Sequence, residues 1–180
     1  MSHGTGRIVG VNGNLITVEF EGVVGQNEVA YAKVGELRLK SEVVRVHRSH
    51  ADLQVFEDTT GLGVGDSVEF SGELLSAELG PGLLTQIYDG LQNPLPELAR
   101  QCGFFLQRGK YLTSIPRDTP WRFSPKASKG DVLTAGESLG SVPEGIFEHR
   151  IMVPFAMRGR WTVEQVAPAG DYRVEDVIAR

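Results

Sequence analysis

The residues that could do chemistry in this chain are few and scattered. Phosphate binding of the P-loop kind needs G-x-x-x-x-G-K-[ST], in which backbone amides cradle phosphates, the Lys neutralises charge and the hydroxyl holds Mg²⁺. The nearest approach runs from Gly103 to Gly109-Lys110-Tyr111. Its glycines stand one residue too far apart, and Tyr111 occupies the place of the metal-binding Ser or Thr. Gly80-Pro81-Gly82 has no Lys behind it and reads as a tight turn. Cys102 is the only cysteine, so no intramolecular disulfide forms; a lone Cys without a Ser, His or Asp pattern around it reads as buried filler, in a reducing compartment. His3, His47, His50 and His149 have no Cys or carboxylate partners at zinc-ligand spacing. Glu57-Asp58 and Glu175-Asp176 are adjacent acids of the kind that sit on solvated turns. No catalytic, cofactor-binding or metal-ligating residue is expected.

The composition fits a folded protein with one or two packed cores. The chain has 180 residues, a formal net charge of -5 and 41% hydrophobic residues, which is too apolar for a disordered segment. The acidic balance and the lack of a basic run argue against nucleic acid or an anionic membrane as the partner. The stretch from Met1 to Gly6 is polar, and no apolar run approaches the ~20 residues that span a bilayer. A soluble, cytoplasmic protein is expected, with membrane contact only through a larger complex.

The elements are mainly β. The 22 Gly and 9 Pro are spread along the chain, as short strands and many turns require. Ile8–Val11 and Leu15–Phe20 flank Asn12-Gly13-Asn14, a strong hairpin signal because Asn and Gly tolerate positive φ. Ile16, Val18 and Phe20 alternate with Thr17 and Glu19, the period of a strand with one buried face. Further strands are expected at Glu36–Lys40, Glu42–His47, Asp52–Phe56 and Asp66–Phe70, with Phe20, Tyr31, Phe56 and Phe70 in core positions. Regular short strands favour a small closed barrel over residues 1–72. Residues 73–103 change character: Leu83, Leu84, Ile87, Tyr88 and Leu91 recur at helical spacing until Asn93-Pro94, and a second short helix is expected from Pro96 to Gln101. Residues 104–180 return to β, with Trp121–Pro125 and two similar stretches, Lys129–Gly140 and Ala169–Ala179. Each places Gly-Asp at a turn before apolar residues, which suits a sandwich of two similar halves.

Three stretches carry a resemblance. Ser76–Leu95, which contains Gly80, Pro81, Gly82, Tyr88, Asp89, Gly90 and Pro94, resembles a signature of the catalytic A subunit of V/A-type rotary ATPases. Glu148–Pro154, with His149, Arg150 and Pro154, resembles a second block of that family. Trp121, Phe123, Pro125 and Lys129-Gly130-Asp131 resemble the opening of its inserted region. The barrel is similar in outline at Gly35-Glu36-Leu37 and Phe56–Gly61. The resemblance implies an N-terminal β-barrel, the start of a nucleotide-binding domain at residues 73–103, and an inserted, barrel-sandwich hybrid-like region at 104–180. It implies that the chain is the front of such a subunit. The phosphate loop, catalytic Glu and sensing Arg, and with them ATP or ADP and Mg²⁺, would then belong to sequence beyond residue 180. Implied partners are the B subunits of the hexameric head and, through residues 104–180, peripheral-stalk subunits. Asn93 departs from the Arg of many members and Phe155 from a second Pro, departures that bear on local packing.

Two other classes fit parts of the sequence. The stretch after Lys129 resembles a biotinyl or lipoyl carrier domain, but the hairpin near Phe147–Met152 has no lysine to modify, leaving a stand-alone interaction module with that fold as the alternative. A nucleic-acid-binding barrel would need a basic groove with exposed aromatics, a combination that residues 5–72 lack. The non-catalytic B and the F-type subunits share the barrel and lack the long insert, so Gly103–Arg180 points to A.

Overall fold

The computed structural model describes residues 4–103 and 105–180; His3 lies outside the described residues. These fall into two compact units: Met1–Ala77 with Glu97–Tyr111, and Glu78–Pro96 with Leu112–Arg180.

Alternation sets the inner face of the first unit. In β2 (Leu15–Phe20), Ile16, Val18 and Phe20 are buried while Leu15 and Glu19 are exposed. β1 (Thr5–Asn12), β2, β3 (Glu28–Val34), β4 (Leu37–His47), β5 (His50–Val55) and β6 (Ser67–Leu74) close a barrel in the order β1-β2-β5-β4-β3-β6. The β1–β2 turn is made at Gly13, whose φ of 62° needs no side chain to be accommodated. Register shifts in β1 between Ile8 and Gly10 and in β4 between Val43 and Arg45 add the local bend that a closed sheet requires. The interior is apolar and filled, with Ile8, Leu39, Leu53 and Phe70 almost wholly buried. Each such side chain contributes ~1.5–3 kcal/mol.

The barrel differs from expectation in three places. β3 was not expected, because its inward residues include Ala30 and Ala32, which carry a weak strand signal; both are fully buried, where small side chains fit a narrow barrel. The strands anticipated at Glu36–Lys40 and Glu42–His47 are one element, β4. Ser41 continues it because its buried hydroxyl donates to the Ala30 carbonyl at 3.0 Å. Phe20 and Phe70 join the core and meet edge to face at 5.7 Å, but Tyr31 and Phe56 are only half-buried. The Tyr31 ring instead carries the Arg38 guanidinium 4.4 Å from its centre.

Helix α1 (Leu95–Cys102) begins with Pro96 in its first turn, where a missing N–H costs nothing. It ends at Gly103, whose φ is 71° and whose N–H donates to the Ala99 carbonyl. The helix anticipated over residues 83–91 does not form. That stretch is a chain of turns closed by an antiparallel bridge between Tyr88 and Pro94. Thr85 and Gln92 have φ of 65° and 64°, which no right-handed helix allows.

In the second unit, β7 (Trp121–Pro125), β9 (Ser138–Glu144), β10 (Phe147–Met152) and β12 (Gly170–Tyr172) form a sheet in the order β10-β9-β7-β12, and β8 (Val132–Thr134) pairs with β11 (Arg160–Thr162). Gly140 admits Phe123: a Cβ there would stand 2.3 Å from the ring. Phe123 in turn meets Tyr172 edge to face at 6.1 Å. The two similar stretches do not make equal halves. Gly130-Asp131 does precede a strand, but Gly170-Asp171 lies within β12, paired with Phe123 and Arg122. After it the chain turns at Val174 and Glu175, and Val177 and Ile178 lie in no strand.

Candidate functional site

Two of the three stretches that carry the family resemblance, Ser76–Leu95 and Glu148–Pro154, meet at one side chain outside both. Glu144 ends β9 and is only 6% exposed. One carboxylate oxygen, Oε1, accepts the N–H of Gly82 at 2.7 Å and of Leu84 at 3.0 Å. The other, Oε2, lies 2.9 Å from His149 Nδ1 on β10. An ionised carboxylate only accepts, so His149 carries its proton on Nδ1. Burial works against the charged form of Glu144, but the Leu84 and Gly82 amides and His149 outweigh it and hold the group below its ordinary value. The turn geometry that presents these amides depends on Gly82, whose φ is 102° and where a Cβ would press on Pro116 at 3.1 Å and Trp121 at 3.3 Å. At Gly80 a Cβ would meet the end of the Ile115 side chain, Cδ1, at 2.8 Å.

Residues 78–96 are held by a second set of polar contacts. Asp89 accepts the N–H of Leu91 and Asn93 at 2.9 and 2.8 Å, and the Asn93 side-chain amide at 2.8 Å. The buried Asn93 also accepts the Leu112 N–H at 2.8 Å. Tyr88 donates to the Ser114 carbonyl at 3.0 Å, and burial, with the nearby Glu144 charge, raises its pKa. Glu78 pairs with Arg117 and accepts the Ser114 hydroxyl at 2.8 Å. These bonds divert amides that a helix over 83–91 would need.

Of the residues singled out by sequence, Gly82 and His149 converge on Glu144, while Tyr88, Asp89 and Pro94 build the adjoining turn. Gly80 and the buried Pro81 line a cavity of about 260 Å³ with Ile115, Trp121, Phe123 and Ile178. Gly90 has open space around its Cα, and Arg150 and Pro154 are exposed, outside the cluster. Sequence reasoning missed Glu144, whose partners lie 60 and 62 positions away. It also missed Glu57, taken for a solvated turn residue. Glu57 accepts the Gly109 N–H at 2.6 Å and bonds the Tyr111 hydroxyl, which also accepts the Lys40 N–H at 2.6 Å. Burial is the main reason the Tyr111 pKa is raised. Gly109 and Tyr111 are thus engaged in fastening a loop to the barrel, with Arg108 donating to the Asp58 and Thr60 carbonyls.

Among the described residues no group of three or more His, Cys, Asp or Glu could hold a metal ion. Among the described residues no helix is long and apolar enough to cross a membrane. The β9–β10 hairpin turns at Gly145-Ile146, and nothing supports the biotinyl or lipoyl carrier reading.

Comparison with known proteins covers both units. Residues 8–72 match the β-barrel domain of the ATP synthase alpha/beta family, and residues 112–180 match the barrel-sandwich domain of the ATP synthase alpha/beta subunit. The chain is 57% identical to a V-type ATP synthase alpha chain of Treponema denticola over 179 residues, 99% of this chain and 30% of that protein. It is 55% identical to V-type ATP synthase alpha chain 1 of Treponema pallidum over 180 residues, and 52% identical to the alpha chain of Borreliella burgdorferi over 174. It spans about 31% and 30% of those two relatives. With both domain models in order and this identity along its length, the chain belongs to the ATP synthase alpha/beta family, as a counterpart of part of the V-type alpha chain.

Proposed function

We propose that the whole protein is the catalytic A-type subunit of a V/A-type rotary ATPase, coupling ATP synthesis or hydrolysis to proton or sodium transport, with ATP or ADP and Mg²⁺ bound elsewhere in the subunit. The observation that carries this is the 57% identity over 99% of the chain to a V-type ATP synthase alpha chain. Residues 4–103 and 105–180 would supply assembly and coupling surfaces: the barrel toward neighbouring B subunits, the region 104–180 toward the peripheral stalk. In support of the second assignment, the β9–β10 hairpin holds out Ile146 and Phe147, 94% and 57% exposed. Large apolar side chains presented this way suit a protein interface.

The test is native mass spectrometry of the chain mixed with purified stalk subunits and, separately, with B subunits. Stoichiometric complexes are expected, and Ile146→Asp with Phe147→Asp should abolish only the one with the stalk. Failure of the unaltered chain to bind either partner would overturn the assignment.

A further inference from the structure

Glu144 joins the β9–β10 hairpin to a segment some 60 residues earlier in the sequence, and the joint is directional. The side chain leaves β9 at the residue paired with Phe147, one step from the hairpin turn. Its Oε2 faces His149 on the returning strand, while its Oε1 holds two amides of a segment outside every sheet. Gly82 and Leu84 have no backbone ladder to fix them. Among the described residues, the partner shown for each N–H is this one oxygen. Two amides converging on one carboxylate form a small anion-binding concavity, here filled by the protein's own anion. Gly82 adopts its φ of 102° as glycine readily can, whereas Thr85 stands at φ 65°, so the turn includes one residue held in a conformation it does not favour.

We propose that Glu144 is a conformational latch: the β9–β10 hairpin, through the Glu144 carboxylate, dictates the backbone conformation of the Gly80–Thr85 turn. His149 is a positioning residue that orients the carboxylate. Movement of the hairpin strands is transmitted to the turn through this side chain, whereas the bonds of Asp89 to Leu91 and Asn93 do not involve Glu144.

Amide hydrogen exchange and ¹⁵N chemical shifts of the labelled chain test the latch. In the unaltered chain the Gly82 and Leu84 amides should be protected although they lie in no strand or helix. Glu144→Ala should speed their exchange about tenfold or more, the factor expected for losing a charge-assisted bond, and leave Leu91 and Asn93 unchanged. Should Glu144→Ala fail to fold, Glu144→Gln, which keeps one weaker acceptor, should give a smaller change at the same two amides. His149→Ala should shift the Gly82 and Leu84 resonances when Glu144 is present and not when it is replaced, the non-additivity that marks transmission through Glu144. Unchanged protection at Gly82 and Leu84 in the Glu144 variants, or equal shifts from His149→Ala in both backgrounds, would overturn the proposal.

Discussion

Gly140→Ala isolates the packing that puts Glu144 in place. Gly140 lies in β9, four residues before Glu144, with the Phe123 ring against its Cα. An added Cβ would stand 2.3 and 2.5 Å from the ring carbons and 2.6 Å from the Ser124 carbonyl oxygen. The ring cannot simply rotate away, because Phe123 is 1% exposed and braced against Tyr172. The carbonyl belongs to β7, paired to β9 at Ser124↔Ser141 and Pro125↔Gly140, so relief requires the strands to separate. Overpacking costs ~1–3 kcal/mol where side chains can yield. With a backbone atom in the clash, the upper end of about 3 kcal/mol is expected. At roughly 2–4 °C per kcal/mol for a chain of this size, the melting temperature should fall by ~6–12 °C. Differential scanning calorimetry reads this directly, and near-UV circular dichroism of Trp121 reports whether the packing is disturbed. Gly145→Ala is the control, since its φ is 61° but nothing lies within 4 Å, so only backbone strain of ~1 kcal/mol applies. A melting temperature for Gly140→Ala equal to that of Gly145→Ala would refute the steric argument.

Other outcomes follow from the polar contacts. Glu144 is held below its ordinary value of 4.5, so its contribution to stability is complete above that value and lost as pH falls through the lower native one. Glu144→Gln should therefore flatten the acid limb of a melting-temperature profile, and an unchanged limb would contradict the pairing. Tyr111→Phe removes the hydroxyl shared by Glu57 and the Lys40 amide, at about 1–2 kcal/mol. Trypsin should then cut faster at Arg108 and Lys110, and an unaltered cleavage rate would show that the hydroxyl does not hold this loop. Asn93→Arg should destabilise by roughly 2–4 kcal/mol, because arginine offers no acceptor to the Leu112 N–H and a larger, charged side chain must enter a buried site. Denaturant unfolding that shows no loss would mean that the turn repacks around arginine.

What could be read from the sequence depended on how local the cause was. The β1–β2 hairpin was legible because Gly13 and the alternation of Ile16, Val18 and Phe20 act within a few residues. β3 was not, since Ala30 and Ala32 signal a strand only once the barrel around them is known. Leu83, Leu84, Ile87, Tyr88 and Leu91 kept a helical period, yet the amides of Gly82 and Leu84 go to a carboxylate some 60 positions away and those of Leu91 and Asn93 go to Asp89. A period describes which side chains share a face and says nothing of competitors for the backbone. The blocks around Gly80-Pro81-Gly82 and His149-Arg150 were visible as family likeness, but their junction was not, because nothing adjacent to Glu144 in sequence marks it as the acceptor.

We propose that this chain supplies assembly surfaces and that nucleotide binds elsewhere in the subunit. Titration of the purified chain with Mg-ATP by isothermal calorimetry, with phosphate release followed in the same sample, tests it most directly. The account predicts no saturable heat and no release above background. Stoichiometric binding of Mg-ATP, or turnover that survives repurification, would contradict it.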